Sequence, residues 1–373
     1  MDIGAPKLSG LNDWYLLRQL LNFKNEIRGS HPEDLFGRQM MEMAQMFNEE
    51  MLQDVVAYIS KEDFSSQDDK EADSRLRSPL YFPYTNKLYG FPMIIKLAAI
   101  MLTVLLALVV GFNVWGVATQ GSLEPALNAE RDTSANRVVM VFGASGSAGG
   151  GLLKAAVEDN EVEKVYVVTR SSTDYIAAAA EDRDKVSVIM HKDFTDYTGL
   201  ENELGDVSTV LWALGTSSLQ VDEATYTLIH VDFPAAFVKA WLSARQAAGN
   251  IGSPMAYHFI AGMGTDSSDA PWAHDKRKTE RDVAAMAEGT GLRSFSYRSA
   301  YIRPISETTN VGHHITEALL RPGKLVTSSK ELGQAMLEIS ARTKELANGT
   351  LLDNGDSLAY SKAYLLRLPK GSD

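Results

Sequence analysis

The residues most able to do chemistry form a glycine-rich turn after a short apolar run. Residues 138–142 read Val-Val-Met-Val-Phe, and glycines follow before a helix-forming stretch at 151–157. A strand that ends in such a turn directly before a helix aims backbone N–H groups and the positive end of the helix dipole at a phosphate. A purely structural glycine turn is the alternative. The pattern favours a nucleotide-binding site built from Gly143, Ser145, Gly146, Ser147, Ala148 and Gly149.

A basic residue ends the second predicted strand, Lys164-Val-Tyr-Val-Val-Thr-Arg170. Sheets that bind NAD often carry an acidic residue there, because a carboxylate accepts a hydrogen bond from the ribose 2′-hydroxyl. The Arg170 guanidinium would instead pair with a 2′-phosphate. The sequence therefore favours NADP(H) over NAD(H), with a solvated surface arginine as the alternative.

Two later strand exits fit the same site. Asp193 and Phe194 follow the third predicted strand, where a side chain can reach the adenine edge. The fourth predicted strand closes with Leu214, Gly215 and Thr216. The small residues at this strand end would let the protein backbone approach the nicotinamide half of a dinucleotide. Either piece alone could be an ordinary strand exit, whereas their order along the chain makes them mutually supporting.

These motifs, with the later run Lys276-Arg-Lys-Thr-Glu280, resemble the atypical NAD(P)-binding branch of the short-chain dehydrogenase/reductase superfamily over about residues 136–320. The resemblance implies a Rossmann fold and a Ser-Tyr-Lys set, with the tyrosine four residues before the lysine. In that family the tyrosine is the general acid/base, the lysine lowers its pKa and holds the ribose, and the serine steadies the substrate oxygen. Lys276 matches the lysine, both as a catalytic and as a cofactor-binding residue.

The match fails at the other two catalytic positions. Trp272 stands at the tyrosine position, and its indole cannot shuttle a proton. Ala261 and Gly262 stand where hydroxyls would be expected. His274, four residues before Lys278, is a substitute acid/base by spacing, or else a loop residue. Other hydroxyls are offered by Tyr257, Tyr297 and Tyr301.

Candidate strands and helices alternate from residue 136 onward. The strands are predicted at 137–142, 164–169, 186–190, 208–213, 256–261 and 294–298, with helices such as 223–247 and 276–290 between them. This alternation predicts an α/β fold over 136–373, a Rossmann-type parallel sheet with helices on both faces. It is preceded by one transmembrane helix and a small all-α fragment.

Composition excludes several classes of function. The 373 residues carry a net charge of −12 and no basic stripe with interleaved aromatics, which argues against nucleic-acid binding. The absence of cysteine rules out disulfides, thiolate metal sites and thioether attachment of haem. The adjacent His313 and His314 have no acidic partner at ligand spacing, so no metal site is predicted.

Residues 91–118 predict a single membrane span, with a polar linker at 61–90 and a second linker at 119–135. The run 97–110 is apolar, Lys96 can snorkel, and Tyr89, Phe91 and Trp115 occupy interfacial positions. A buried core helix is the alternative. Basic residues are more numerous before the span than after it, which favours an N-terminal side inside the cell. A domain that uses nicotinamide cofactors favours the opposite orientation, because those cofactors are cytosolic. The prediction is a single-pass protein of the bacterial inner membrane with its Rossmann domain in the cytosol.

Residues 1–60 read as helical, and residues 4–60 resemble the C-terminal half of class I bacterial c-type cytochromes. In that family a methionine is the axial haem ligand; Met40 is the matching position, with Met43 second. Without cysteine there is no Cys-x-x-Cys-His, and haem c is not expected. Either Met1 lies inside a longer cytochrome domain, or the fragment is a degenerate helical docking module.

Three functions follow from these features. The first is a membrane-anchored, NAD(P)(H)-binding, short-chain-dehydrogenase-like oxidoreductase with degenerate catalytic residues, near respiratory-chain or cytochrome partners. The second is a non-enzymatic nucleotide-sensing or docking module. The third is a truncated form of a c-type cytochrome electron-transfer fusion protein.

Overall fold

A computed structural model describes residues 13–31, 34–61, 90–181, 184–305 and 309–368. The chain divides into two compact units, Met1–Gly90 and Phe91–Asp373. Most of the predicted polar linker, residues 62–89, lies outside the described residues.

The first unit contains helices α1 (Asp13–Lys24), α2 (Leu35–Gln45) and α3 (Glu49–Lys61). Asp34 begins α2 by accepting a hydrogen bond from the Gly37 N–H at 2.7 Å. Apolar residues from the three helices are buried together: Leu16, Ala44, Leu52 and Val56. The predicted helical character is confirmed. The Met40 and Met43 side chains are 38% and 55% exposed, respectively.

All but the first residue of the long helix α4 (Gly90–Thr119) belongs to the second unit. Its segment Ile100–Thr119 has a mean hydropathy of 2.3 and is only 6% buried, so apolar side chains cover the helix on nearly all sides. A helix that is apolar all round is either buried in a core or placed in lipid. Within the described ranges, α4 is long and apolar enough to cross a membrane.

A seven-stranded parallel sheet follows, in the order β3-β2-β1-β4-β5-β6-β9. The six predicted strands are confirmed within one or two residues. The strands are β1 (Val138–Phe142), β2 (Lys164–Thr169), β3 (Val186–Met190), β4 (Thr209–Trp212), β5 (Met255–Ile260), β6 (Leu292–Arg298) and β9 (Thr350–Asp353). Two further strands, β7 (Tyr301–Arg303) and β8 (Val326–Ser328), form a small parallel pair of their own.

Helices cover both faces of the sheet, which confirms the doubly wound α/β fold. One core contains residues of α5 (Gly149–Glu158), α12 (Ser329–Ala341) and α13 (Asn354–Arg367). The other contains residues of α7 (Glu201–Asp206), α9 (Phe233–Ala247) and α10 (Pro271–Ala287). The remaining helices are α6 (Asp174–Ala179), α8 (Glu223–Thr227), which runs through a π-helical turn at Leu228–Asp232 into α9, and α11 (Val311–Leu320).

The segment after α4, predicted as a linker at 119–135, is fastened to the domain. The Leu123 N–H donates to the Asp356 carboxylate at 2.9 Å, and the Ala126 N–H donates to Glu345 at 3.0 Å. Further along, the Asp132 N–H donates to the Ala341 carbonyl at 2.7 Å. Because these bonds bind the segment to α12, α13 and their connection, it does not act as a free tether.

Candidate nucleotide-binding crevice

The site lies where the strand order reverses. β2 and β4 flank β1 on opposite sides, so the connections after β1 and β4 leave the carboxyl edge in opposite directions and open a crevice. This crevice has a volume of about 350 Å³. Its walls come from the exits of β1, β4 and β5 and from two helices, at Ala148, Trp212, Ala213, Leu214, Gly215, Thr216, Ser217, Gln220, His230, Ile260 and Lys276.

The three glycines of the turn between β1 and α5 are explained by different physical constraints. Gly143 has a φ of +73°, and a Cβ there would lie 2.4 Å from the Ala213 carbonyl oxygen. A Cβ on Gly149 would lie 2.0 Å from the Gly143 carbonyl oxygen. Both glycines are therefore required by the packing of the chain itself. Gly146 is exposed, and its Cβ would meet only the Gly143 oxygen, at 3.3 Å. Its missing side chain leaves room on the outer side of the turn.

The start of α5 adds hydrogen-bond donors. Ala148 precedes the helix, and no side chain caps its first turn. The Gly150 N–H donates to the Gly146 carbonyl at 3.0 Å, which folds the turn back onto the helix. Ser145 and Ser147 are exposed beside these backbone groups. An uncapped helix N-terminus beside exposed hydroxyls suits an anion such as a pyrophosphate.

His230 supports the exit of β4 and was missed by the sequence reasoning. Its Nε2 lies 3.0 Å from the Thr216 carbonyl oxygen and 3.2 Å from the Thr216 nitrogen, so the tautomer decides whether it donates or accepts. Burial and the nearby Lys276 cation lower the pKa of His230 to about 3, so the imidazole is neutral at physiological pH. A Cβ on Gly215 would lie 2.8 Å from the His230 ring, which explains the glycine.

Lys276 reaches the crevice from α10. Its Nζ donates to the Ile260 carbonyl oxygen at 2.9 Å and lies 4.8 Å from the centroid of the Phe259 ring. Burial lowers the pKa of Lys276 to about 7, against an opposing contribution from the Glu280 carboxylate. A lysine in this state can gain or lose a proton near neutral pH.

Trp272 and His274 lie outside the residues that line the crevice. Trp272 is half-buried and lines a second cavity of about 230 Å³. His274 is exposed, and its Nδ1 lies 3.1 Å from the Arg277 guanidinium. His274 therefore remains a catalytic candidate by spacing alone, since the geometry gives it a partner on its own helix instead of a place in the crevice.

The tyrosines named from the sequence differ in burial. Tyr257 and Tyr297 are fully buried, which raises the pKa of each well above its ordinary value, and the Tyr297 hydroxyl bonds to the His258 Nδ1 at 2.8 Å. Tyr301 is half-buried in β7. Tyr226, which no sequence pattern singled out, lines the second cavity beside Trp272 and packs on the His230 ring at 4.1 Å.

The β5 exit gives a physical reason for one of the two positions where the sequence departs from the serine that the resemblance implies. Gly262 has a φ of +110°, a backbone conformation that side-chain-bearing residues rarely adopt. A hydroxyl-bearing residue at position 262 would strain this turn. The Gly262 carbonyl instead accepts a hydrogen bond from the Thr265 hydroxyl at 2.7 Å, which closes the loop.

The exits of β2 and β3 place the remaining predicted residues at the carboxyl edge. Arg170 is exposed directly after β2, and the part of the chain that the structure describes gives its guanidinium no carboxylate partner. Asp193 is exposed and accepts from the Thr195 hydroxyl and N–H, which lowers its pKa. The Phe194 ring is buried against Phe142, with their centroids 6.2 Å apart. Any contact of Phe194 with a nucleotide would therefore come from its backbone.

No group of three or more His, Asp or Glu residues that could hold a metal ion occurs in the described ranges. His313 instead caps its own helix: its Nδ1 accepts from the Asn310 N–H at 3.3 Å.

Comparisons with solved structures return short-chain dehydrogenases. A 3-oxoacyl-[acyl-carrier protein] reductase from Brucella melitensis, in complex with NAD, is 17% identical in sequence and aligns with a TM-score of 0.43. The alignment covers 60% of this chain and 98% of the reductase chain. A short-chain dehydrogenase from Streptomyces avermitilis is 17% identical and aligns with a TM-score of 0.42, over 61% of this chain and 92% of that dehydrogenase. A short-chain type dehydrogenase/reductase from Mycobacterium marinum is 18% identical and aligns with a TM-score of 0.45, over 59% of this chain and 95% of that protein.

These identities and TM-scores are too low to transfer an activity or a substrate to this chain. No family model matches the sequence, and no curated protein matches it either.

Proposed function

We propose that the chain binds a nicotinamide dinucleotide in the crevice, with NADP(H) preferred over NAD(H). The observation that carries this proposal is the open, exposed face of Gly146 beside the uncapped start of α5, at the reversal of strand order. The glycines let the backbone donors of this turn come close to a pyrophosphate, with the exposed Ser145 and Ser147 hydroxyls beside them.

The other residues take positions along the dinucleotide. Ser145, Gly146 and Ser147 hold the pyrophosphate, and Arg170 pairs with the 2′-phosphate. Asp193 and the Phe194 backbone lie at the adenine end. The β4 exit at 214–216 and Lys276 hold the nicotinamide ribose, since both line the crevice. A bound nicotinamide ring would supply hydride transfer.

Proton transfer is the weak part of the site. The indole N–H of Trp272 is too weak an acid to transfer its proton to a carbonyl oxygen, and the Gly262 backbone leaves no place for the family's hydroxyl at position 262. Of the two titratable side chains that line the crevice, His230 stays neutral at physiological pH, whereas Lys276 can gain or lose a proton at its Nζ near neutral pH. We therefore expect a short-chain-dehydrogenase-like protein with little or no oxidoreductase activity. A nucleotide-sensing or docking module is the second candidate, and the Trp272 substitution favours it.

The membrane location belongs to the same proposal. α4 crosses the bilayer, the α/β domain faces the cytosol where nicotinamide cofactors are found, and the N-terminal helices dock a respiratory or cytochrome partner. The support is the length, hydropathy and exposure of Ile100–Thr119.

Tryptophan fluorescence of the full chain in detergent tests binding. Trp212 lines the crevice, so NADPH bound there should quench its emission and show sensitised emission of its own. The expected titration is saturable and is reversed by excess NADP⁺. A linear, non-saturable decrease that NADP⁺ does not reverse would rule out a dinucleotide site.

A further inference from the structure

Helix α11 carries its apolar side chains outward. Val311, Ile315 and Leu319 recur at a spacing of four, so they form one stripe, and their side chains are 74%, 55% and 44% exposed. On the other side, Glu317 pairs with the Arg303 guanidinium at 2.6 Å. A surface helix in water normally shows the reverse arrangement, with apolar residues toward the domain.

This stripe lies next to the candidate membrane span. The Asn113 side-chain amide of α4 donates to the Leu319 carbonyl oxygen at 2.8 Å. Two glycines permit close backbone approach just beyond α11: a Cβ on Gly323 would lie 2.5 Å from the Asn113 Cα, and one on Gly116 would lie 2.1 Å from the Gly323 carbonyl oxygen. The C-terminal end of α11 is thus fixed directly against α4.

The contact sets the depth of α11. Asn113 precedes Thr119 by six residues, which is about 9 Å along a helix axis. If α4 spans the bilayer as far as Thr119, the end of α11 lies about 9 Å inside that boundary. Interfacial helices bury their apolar faces about 5–10 Å into the region between headgroups and acyl chains.

We propose that Val311, Ile315 and Leu319, the lipid-contact face, insert into the surface of the bilayer that α4 crosses. This inference rests on the proposed membrane span. Met263 extends the same side of the domain, because its sulfur accepts from the Gln120 amide at 3.8 Å and its side chain is 46% exposed. The loop after β5 therefore also lies beside the end of the span, and the carboxyl edge of the sheet faces the membrane.

The chain contains no cysteine, so single cysteines can be introduced without removing native ones. Ile315→Cys in the full chain would carry a nitroxide label in phosphatidylcholine vesicles. The experiment compares how often the nitroxide collides with oxygen, which concentrates in lipid, and with a water-soluble nickel chelate. Glu163→Cys is the matched control, because Glu163 is exposed immediately before β2 at the opposite edge of the sheet. Leu106→Cys reports on the span itself, since that side chain is 53% exposed on α4.

The expected result is preferential oxygen collision at positions 315 and 106 and preferential chelate collision at 163. A lipid signal at 106 with an aqueous signal at 315 would overturn the lipid-contact face and leave the span intact. Aqueous signals at both would overturn the span and the face together. Protection of position 315 from both reagents, with spin–spin broadening between copies, would assign the face to a second copy of the chain and also overturn the proposal.

Discussion

The Lys276 ammonium donates to the Ile260 carbonyl oxygen at 2.9 Å, which joins the start of α10 to the last residue of β5. An ammonium has three donors, and this bond uses one of them. Because Lys276 also lines the crevice, its remaining capacity is available to a ligand there. The cost of burying its charge lowers the pKa to about 7, and an anionic ligand would raise that pKa again.

NADPH binding should therefore take up a proton at Lys276. The pKa in the free protein is about 7, so near pH 8 the side chain is mostly neutral until the nucleotide charges it. Affinity should be highest below pH 7 and fall as the pH rises above it. Calorimetry in buffers of different ionisation enthalpy measures the uptake directly. Lys276→Met should abolish this uptake and flatten the pH dependence; equal uptake in both proteins would contradict the assignment.

Arg170→Ala should weaken NADPH binding about tenfold and leave NADH binding unchanged, because the guanidinium has only the 2′-phosphate to recognise. Arg137→Ala is the control: Arg137 is also exposed but precedes β1 at the other edge of the sheet. Titrating both nucleotides against each variant gives the ratio of the two affinities. An equal loss for NADH and NADPH would remove Arg170 from the 2′-phosphate site.

The glycine turn makes a prediction about stability alone. Gly149→Ala should lower the free energy of unfolding by about 3 kcal/mol, because its Cβ would overlap the Gly143 carbonyl oxygen. Gly146→Ala should lower it by less, about 1 kcal/mol or below, since its Cβ would meet only the Gly143 carbonyl oxygen, at 3.3 Å. Urea unfolding of the full chain in detergent distinguishes the two. Similar losses in both variants would mean that the turn has a different shape.

Trp272→Tyr should raise NADPH oxidation with a panel of aldehydes, ketones and quinones, because it restores a hydroxyl four residues before Lys276. Trp272→Phe, which changes the ring without adding a hydroxyl, should leave oxidation at the low level expected of the unchanged chain. The rate of NADPH loss is followed by absorbance. An equal rate in the Tyr and Phe variants would count against matching Trp272 to the family's tyrosine.

Runs rich in apolar, β-branched and aromatic residues between turn residues predicted the six strands β1 to β6. β9 was missed: its Thr-Leu-Leu-Asp, as short as β4, runs directly into the polar start of α13 without an intervening turn. β7 and β8 are shorter still, and they pair only because the chain between them returns through α11.

Although their roles stay predictions, the glycine turn was recognised from its local spacing along the chain and Lys276 from the resemblance of its motif. His230 was not, because it contacts Thr216 across 14 residues and looks like one polar residue in an apolar helix. The same holds for the predicted linker at 119–135. It was predicted as a linker, but Asp356, 233 residues after Leu123, fixes it to the domain. Such contacts depend on tertiary structure and leave no local pattern.

The central claim is that the turn around Gly146 binds the pyrophosphate of a nicotinamide dinucleotide. Calorimetric titration of the full chain with NADPH, beside Gly146→Asp and Gly252→Asp, tests it most directly. A Cβ on Gly252 would have no heavy atom within 4 Å, and one on Gly146 would meet only the Gly143 carbonyl oxygen, at 3.3 Å. Only Gly146 lies in the turn after β1, where a carboxylate would repel the phosphates by about 1 kcal/mol or more. The account predicts saturable binding to the unchanged chain and Gly252→Asp, and affinity at least about tenfold lower for folded Gly146→Asp. No binding to the unchanged chain, or equal binding to all three, would contradict it.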